Sequence, residues 1–245
     1  MIERDPCELL ASYPRHRLPL SEAHQAIYIK EYQRNRSARG FLPRLLSWLE
    51  SWSHRRIAAK GRPGETVLEL GAGTLNHLKY EKYSDAYDVV EPFEELLSHG
   101  TERGRVREVF TDLFDCPADR RYDRIFSQFT LEHLTDLPRL VARSGRLLKG
   151  DGIFQGGIPS EGGFLWGMSW KLTTGISYRL RTGLDYGDLL RHEHVNSASD
   201  IEGVLRYFFD SVEVHWFPTP FFQCSFHGYI EATRPRVDRC DCFLE

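Results

Sequence analysis

The residues Thr66 to Leu70 form a short apolar run that passes without a spacer into Gly71-Ala72-Gly73. No other stretch restricts the fold of the chain as much. Val and Leu at successive positions, rather than alternating ones, predict a strand buried on both faces, as in a parallel sheet covered by helices. Two glycines at its end let the backbone turn sharply and let a ligand approach closely. A helix following the turn would point its unpaired N–H groups into the same space. The pattern then repeats. Apolar runs at Tyr87–Val90, Val106–Phe110, Tyr122–Ser127 and Gly152–Gly156 alternate with helical segments, the clearest being Leu137–Leu148. Two further runs, Val212–Trp216 and Phe226–Thr233, read as closing strands, antiparallel to the rest. The rhythm predicts an α/β chain with a doubly wound, mostly parallel, seven-stranded sheet whose ligands sit beyond the carboxyl ends of the strands.

The flanks read differently. Ser21 offers an N-cap, and Ala23, Ile27, Ile29 and Tyr32 predict a helix to about Arg36. Leu42, Leu45, Leu46, Leu49 and Trp52 mark one side of a second helix across Phe41–Ala59, which Gly61 and Gly64 end. Pro6, Pro14 and Pro19 predict an irregular start. Residues 1–60 therefore read as N-terminal helices forming a cap, and 61–234 as the main domain. After Pro159 the rhythm fails for about thirty residues, the length of a binding insertion, so a lid is expected over about 159–197. Ser199-Asp200-Ile201-Glu202 predicts a capping box for the next helix, and 235–245 a polar tail.

Charge narrows the function. The net charge is -3, so no overall positive field recruits nucleic acid. Local groups such as Arg34, Arg36 and Arg39, or Arg55, Arg56 and Lys60, read as solvated helix faces. The 5 cysteines are scattered and odd in number, and Met1–Leu20 lacks an apolar core segment. Reduced thiols and a cytoplasmic location are the expectation. No apolar run approaches the ~18 residues of a membrane span. Peripheral membrane contact and the oligomeric state stay open.

Glu91 stands about 20 residues beyond the glycines, at the end of the next strand, where an acidic side chain accepts both ribose hydroxyls of a nucleoside. A dinucleotide turn wants a third glycine where this chain has Asn76. Glu69, just before the glycines, is a poor neighbour for a pyrophosphate and a good one for the cationic end of S-adenosyl-L-methionine. Val67-Leu68-Glu69-Leu70-Gly71-Ala72-Gly73-Thr74 resembles motif I of the class I S-adenosylmethionine-dependent methyltransferases, which have a Rossmann-like fold. Tyr122-Asp123-Arg124-Ile125-Phe126 with Leu131-Glu132-His133-Leu134 resembles their fourth strand and its turn. Arg146-Leu147-Leu148-Lys149-Gly150-Asp151-Gly152 is similar to their lead into the fifth strand, with Asp151 replacing a glycine. The resemblance implies that Gly71 and Gly73 pass beneath the methionine part of the cofactor and that Glu69 orients its amine. It implies Glu91 on the ribose, Asp112 with Leu113 at the adenine, and Gln128 with Phe129 closing the pocket near the reactive methyl.

The acceptor is less defined. Removing a proton from a hydroxyl needs a base, for which His133, His192 and His194 are the candidates. The alternative for each is a structural turn or hinge. Relatives that methylate quinone precursors carry Glu-x-x-Glu-His and a divalent metal at the position of Phe129-Thr130-Leu131-Glu132-His133. With the first carboxylate missing, two adjacent donors would hold a hard cation weakly, and no metal is expected. The segment Phe164-Leu165-Trp166-Gly167-Met168-Ser169-Trp170-Lys171-Leu172 is rich in aromatics, which line pockets or stack on sugars. Lys171, Arg179 and Arg181 suit phosphates, so a small-molecule or saccharide-linked acceptor is expected. The rival readings are a non-catalytic S-adenosylmethionine-binding module and, further behind, an NAD(P)-dependent oxidoreductase. The first would show no turnover, and the second would bind the dinucleotide.

Overall fold

The computed structural model describes residues 5–28, 51–98, 100 and 102–245. Five parallel strands form most of one sheet: β1 (Glu65–Leu70), β2 (Ser84–Val90), β3 (Val106–Phe110), β4 (Tyr122–Gln128) and β5 (Leu148–Pro159). β6 (Phe209–Phe217) and β7 (His227–Pro235) close it, with β7 antiparallel to both β5 and β6. The order is β3-β2-β1-β4-β5-β7-β6, so the chain leaves β1 to one side and later returns to pair β4 on the other. Ligand crevices in open α/β sheets form at such a switch point.

β1 is buried on both faces, as its unbroken apolar run requires. Leu68 and Leu70 enter one core with Val141, Ile201 and Phe208. Val67 enters the other with Ile57, Leu78, Tyr87 and Phe126. The helix α2 (Leu137–Leu147) covers the first face together with α6 (Ala198–Phe208), each burying one apolar side. On the second face Arg124 is 1% exposed. Its guanidinium meets Glu65 at 2.6 Å and Glu81 at 2.7 Å, so the buried charge is paired.

Several expectations change. Pro6 opens a helix rather than preventing one: α1 (Pro6–Ala11) has Asp5 as its cap, accepting from the Cys7 N–H, and proline is pre-shaped for a first turn. Residues 22–28 are helical, with Ser21 Oγ accepting from the His24 N–H at 3.3 Å. The rest of that expected helix, and 41–50 of the next, lie outside the described residues; 51–58 are helical. After the glycines comes a series of turns, not a regular helix: Leu75, Leu78 and Tyr80 each donate to a carbonyl three residues back. The capping box of α6 lies two residues earlier than expected. Ser197 caps it, and Asp200 reaches back to the Ser197 N–H at 2.9 Å. Asp200 is held there by Arg15, also at 2.9 Å, a partner that local spacing does not reveal.

The segment expected to form a lid is mostly helical. α3 (Phe164–Trp170), a π turn (Lys171–Gly175) and α4 (Ile176–Thr182) run on without interruption, followed by α5 (Tyr186–Glu193). Phe164, Met168, Leu172, Ile176 and Leu180 recur every fourth residue and are all exposed. In a pure α-helix that spacing drifts by about 40° per step and the row would wind around the axis. The wider π turn rotates less per residue and returns the row toward one side. Residues 235–245 are not a tail: α7 (Val237–Leu244) docks with Cys240 fully buried and Phe243 packed on the core.

Candidate active site

At the end of β1 the Gly71 N–H donates to the Val90 carbonyl at 2.8 Å, which turns the chain toward β2. Gly71 has φ +71°, and a Cβ there would fall 2.4 Å from Thr130 Oγ1. Only glycine lets the turn lie against the β4–α2 loop. Gly73, at φ +53°, has open space where its side chain would stand, and its N–H donates to Glu91 Oε2 at 2.6 Å. Glu91 Oε1 accepts from the Phe93 N–H at 3.0 Å, and the Glu91 N–H donates to the Phe110 carbonyl at 2.9 Å. The carboxylate is thus aimed from the end of β2 onto the glycine turn that follows β1.

Glu69 is 2% exposed and accepts from the Tyr87 hydroxyl at 2.6 Å. Burial pushes its carboxyl up to about 8; the Tyr87 bond opposes this, and the nearby carboxylates of Glu91 and Glu81 add to it. Asp112, exposed, caps the turn Leu113–Asp115 by accepting from the Phe114 N–H at 2.8 Å. Leu113 lies in the core. Gln128 donates to Ser53 Oγ at 2.9 Å. Phe129 takes φ +51°, a conformation bulky residues seldom adopt, and is held by its N–H to the Gly157 carbonyl at 2.9 Å.

The next turn brings a second group together. His133 and His194 meet edge to face, ring centroids 4.8 Å apart. The Val195 and Asn196 N–H groups donate to the Glu132 carbonyl at 2.8 and 3.1 Å. Asn196 Nδ2 donates to the carbonyls of Leu131 and Leu134 at 2.8 and 2.7 Å. This clamp seats residues 195–196, just after α5, on the β4–α2 loop. His133 Nδ1 bonds the Glu193 carbonyl at 2.9 Å, and His194 Nδ1 bonds Glu161 Oε2 at 2.8 Å. Burial works against charge on His194, yet the Glu161 bond and the carboxylates of Glu132, Glu161 and Glu193 outweigh it and raise its pKa. Burial also raises that of Glu132, which is 2% exposed.

His192 does not join them. It bonds the Leu18 carbonyl at 2.6 Å on the outside of α5, edge-on to Tyr28. Sequence spacing missed Tyr87, Thr130 and Glu161. Tyr87 and Thr130 gave no signal because their partners lie on other strands or loops. Glu161 sits in the loop before the lid helices, far along the chain from His194.

A sheet of this order with an acidic strand tip over a glycine turn defines a Rossmann-like nucleoside-binding fold. The chain belongs to the methyltransferase domain family, whose profile matches residues 32–200. Its cofactor is S-adenosyl-L-methionine. The glycine turn fits that group: Gly73 leaves open space and the flanking side chains Glu69 and Glu91 are acidic. Among solved structures, the chain is similar to an S-adenosylmethionine-dependent methyltransferase of Thermotoga maritima, described as a possible histamine N-methyltransferase. They share 18% identity at a TM-score of 0.58, over 88% of this chain and 100% of that one. The plantazolicin methyltransferase BpumL, solved with S-adenosylhomocysteine (SAH) and a desmethyl substrate analog, is 14% identical at a TM-score of 0.57, over 95% and 100%. A protein of Bordetella parapertussis described as a possible exported protein is 14% identical at 0.55, over 76% and 67%. These likenesses show the fold. None of the curated proteins matches the chain.

Proposed function

We propose that this methyltransferase moves the methyl of S-adenosyl-L-methionine to a hydroxyl or amine of a small-molecule or saccharide-linked acceptor. Gly71 and Gly73 lie under the methionine part, Glu69 draws its ammonium, and Glu91 accepts the ribose hydroxyls. Asp112 faces the adenine amino group, with Leu113 supporting that edge from the core. Gln128 and the strained Phe129 close the pocket at the reactive methyl. The observation that carries this reading is the Glu91 carboxylate, at the end of β2, held 2.6 Å from the Gly73 N–H after β1. The sulfonium methyl is already electrophilic, so positioning supplies most of the rate. The cluster of His133, His194 and Glu132 forms the acceptor end and eases loss of the acceptor's proton.

The acceptor class is supported by the lid. Its exposed row of Phe164, Met168, Leu172, Ile176 and Leu180 offers an apolar surface, and Lys171, Arg179 and Arg181 on the same helical run offer cations for phosphate. An open depression lined by Ile176, Leu180 and Arg181 combines the two. This pairing favours a saccharide carried on a lipid phosphate over a free sugar. Among the described residues no helix is long and apolar enough to cross a membrane.

Calorimetry with S-adenosylhomocysteine tests the cofactor side. Glu91→Ala is expected to lose binding while keeping its thermal unfolding transition; retained affinity would remove the ribose assignment. A screen of lipid- and nucleotide-linked saccharides with radiolabelled S-adenosylmethionine tests the acceptor. Binding of cofactor without transfer to any of them would instead favour a non-catalytic module.

A further inference from the structure

Three side chains at the acceptor end, Glu132, His133 and His194, each offer a ligand atom, and these atoms all lie within 4.8 Å of one another. In sequence only two of them are adjacent, too few to hold an ion well. The fold adds the third from the far end of the lid.

The surroundings of the two imidazoles point the same way. His133 Nδ1 faces a backbone carbonyl and His194 Nδ1 faces the Glu161 carboxylate, at 2.9 and 2.8 Å. Both partners can only accept. In the neutral rings the proton therefore sits on Nδ1, and Nε2 carries the lone pair. Histidines that bind metals are oriented in this way, with the second nitrogen donating to a carbonyl or carboxylate. His133 Nε2 stands 4.0 Å from Glu132 Oε1, beyond hydrogen-bond reach.

Glu132 supplies an independent indication. Its carboxylate is almost wholly buried, and Oε2 has no hydrogen-bond partner. Leaving a buried carboxylate oxygen unsatisfied is costly, and a cation beside it removes that cost. The donors are also preorganised, because the Glu132 carbonyl is bonded to Val195 and Asn196 at the base of His194. The His133 side chain is 33% exposed, and a bound ion would draw the three donors in to about 2.0–2.2 Å from itself.

We propose that Glu132, His133 and His194 bind one divalent transition-metal ion, with Glu161 and the Glu193 carbonyl fixing the imidazoles behind it. Two imidazoles and one carboxylate suit Zn²⁺, Co²⁺ or Mn²⁺ rather than Mg²⁺ or Ca²⁺, which take all-oxygen shells. The inference uses the function proposed above only to place the ion at the acceptor end.

The test uses the full chain, stripped with a chelator and with the exposed Cys7, Cys224 and Cys242 alkylated so that thiols cannot bind the ion. Zn²⁺ is titrated by calorimetry and Co²⁺ by its visible absorption, and S-adenosylhomocysteine binding is measured on the same samples. One ion per chain is expected. Glu132→Gln and His194→Ala should weaken it at least ~10-fold, and Glu161→Gln by ~10–100-fold as a supporting partner. His192→Ala should bind like the native chain. No ion bound by the native chain, or equal affinity in Glu132→Gln and His194→Ala, overturns the proposal, whatever the variants' stability. If the ion binds but S-adenosylhomocysteine does not, the metal site stands and the cofactor reading fails; the reverse result sinks the metal alone.

Discussion

Because burial lifts Glu69 to about 8, its carboxyl carries a proton at pH 6 in the cofactor-free protein. An S-adenosyl ligand that sets its ammonium beside Glu69 needs the carboxylate. Binding below pH 8 must therefore expel a proton, and each pH unit costs about 1.36 kcal/mol, a tenfold change in affinity. Affinity for S-adenosylhomocysteine should rise ~50-fold from pH 6 to pH 8, where half of the group is ionised, and gain only about twofold more above that before it levels off. The sign for the unliganded fold is opposite. A raised carboxyl means that the native state binds more protons than the unfolded one. Its stabilising contribution is complete below the ordinary carboxyl range and is lost as pH rises toward about 8. Calorimetry at pH 6, 7 and 8, in two buffers of different ionisation heat, counts the protons released. Glu69→Gln should bind weakly at pH 8 and show no slope. Constant native affinity without proton release, or the same slope in Glu69→Gln, would refute the placement of the ammonium beside this carboxyl.

Two further predictions concern the scaffold. Arg124→Met leaves Glu65 and Glu81 without their buried partner and should cost about 3–5 kcal/mol in urea unfolding; an unchanged midpoint would show that the carboxylates do not depend on it. A Cβ at Gly145 would stand 2.8 Å from Cys240 Sγ, so Gly145→Ala should cost ~1–3 kcal/mol and Cys240→Ala should restore part of it. A neutral Gly145→Ala would mean that α7 is not seated on α2.

What could be read from the chain alone, and what could not, divides by the range of the forces involved. The glycine turn and Glu91 were legible because a parallel sheet brings successive strand ends side by side: Leu70 pairs with Val90, one residue before each feature. The strands were legible for the same reason, although β5 runs from Leu148 to Pro159, well past the expected Gly152–Gly156 at both ends. The histidines failed on periodicity. In a strand His192 and His194 would share a face, but His192 lies in the last turn of α5 and His194 is the extended residue that follows it, so one ring reaches Leu18 and the other Glu161. The capping box failed because two serines compete within three residues, and the choice falls to Arg15, which bonds Asp200 from the other end of the chain. Residues 235–245 read as polar because Arg236, Asp238, Arg239, Asp241 and Glu245 are interspersed among the apolar side chains; Cys240, Phe243 and Leu244 are spaced to face inward, and it is the gap left by Gly145 that admits Cys240. The histidine cluster after β4 is the extreme case. Glu132, His133, Glu161 and His194 become one group only when Asn196 clamps the lid to the loop after β4. The proposed acceptor chemistry therefore depends on the Asn196 clamp, and loosening Asn196 should disperse the cluster while leaving the glycine turn intact.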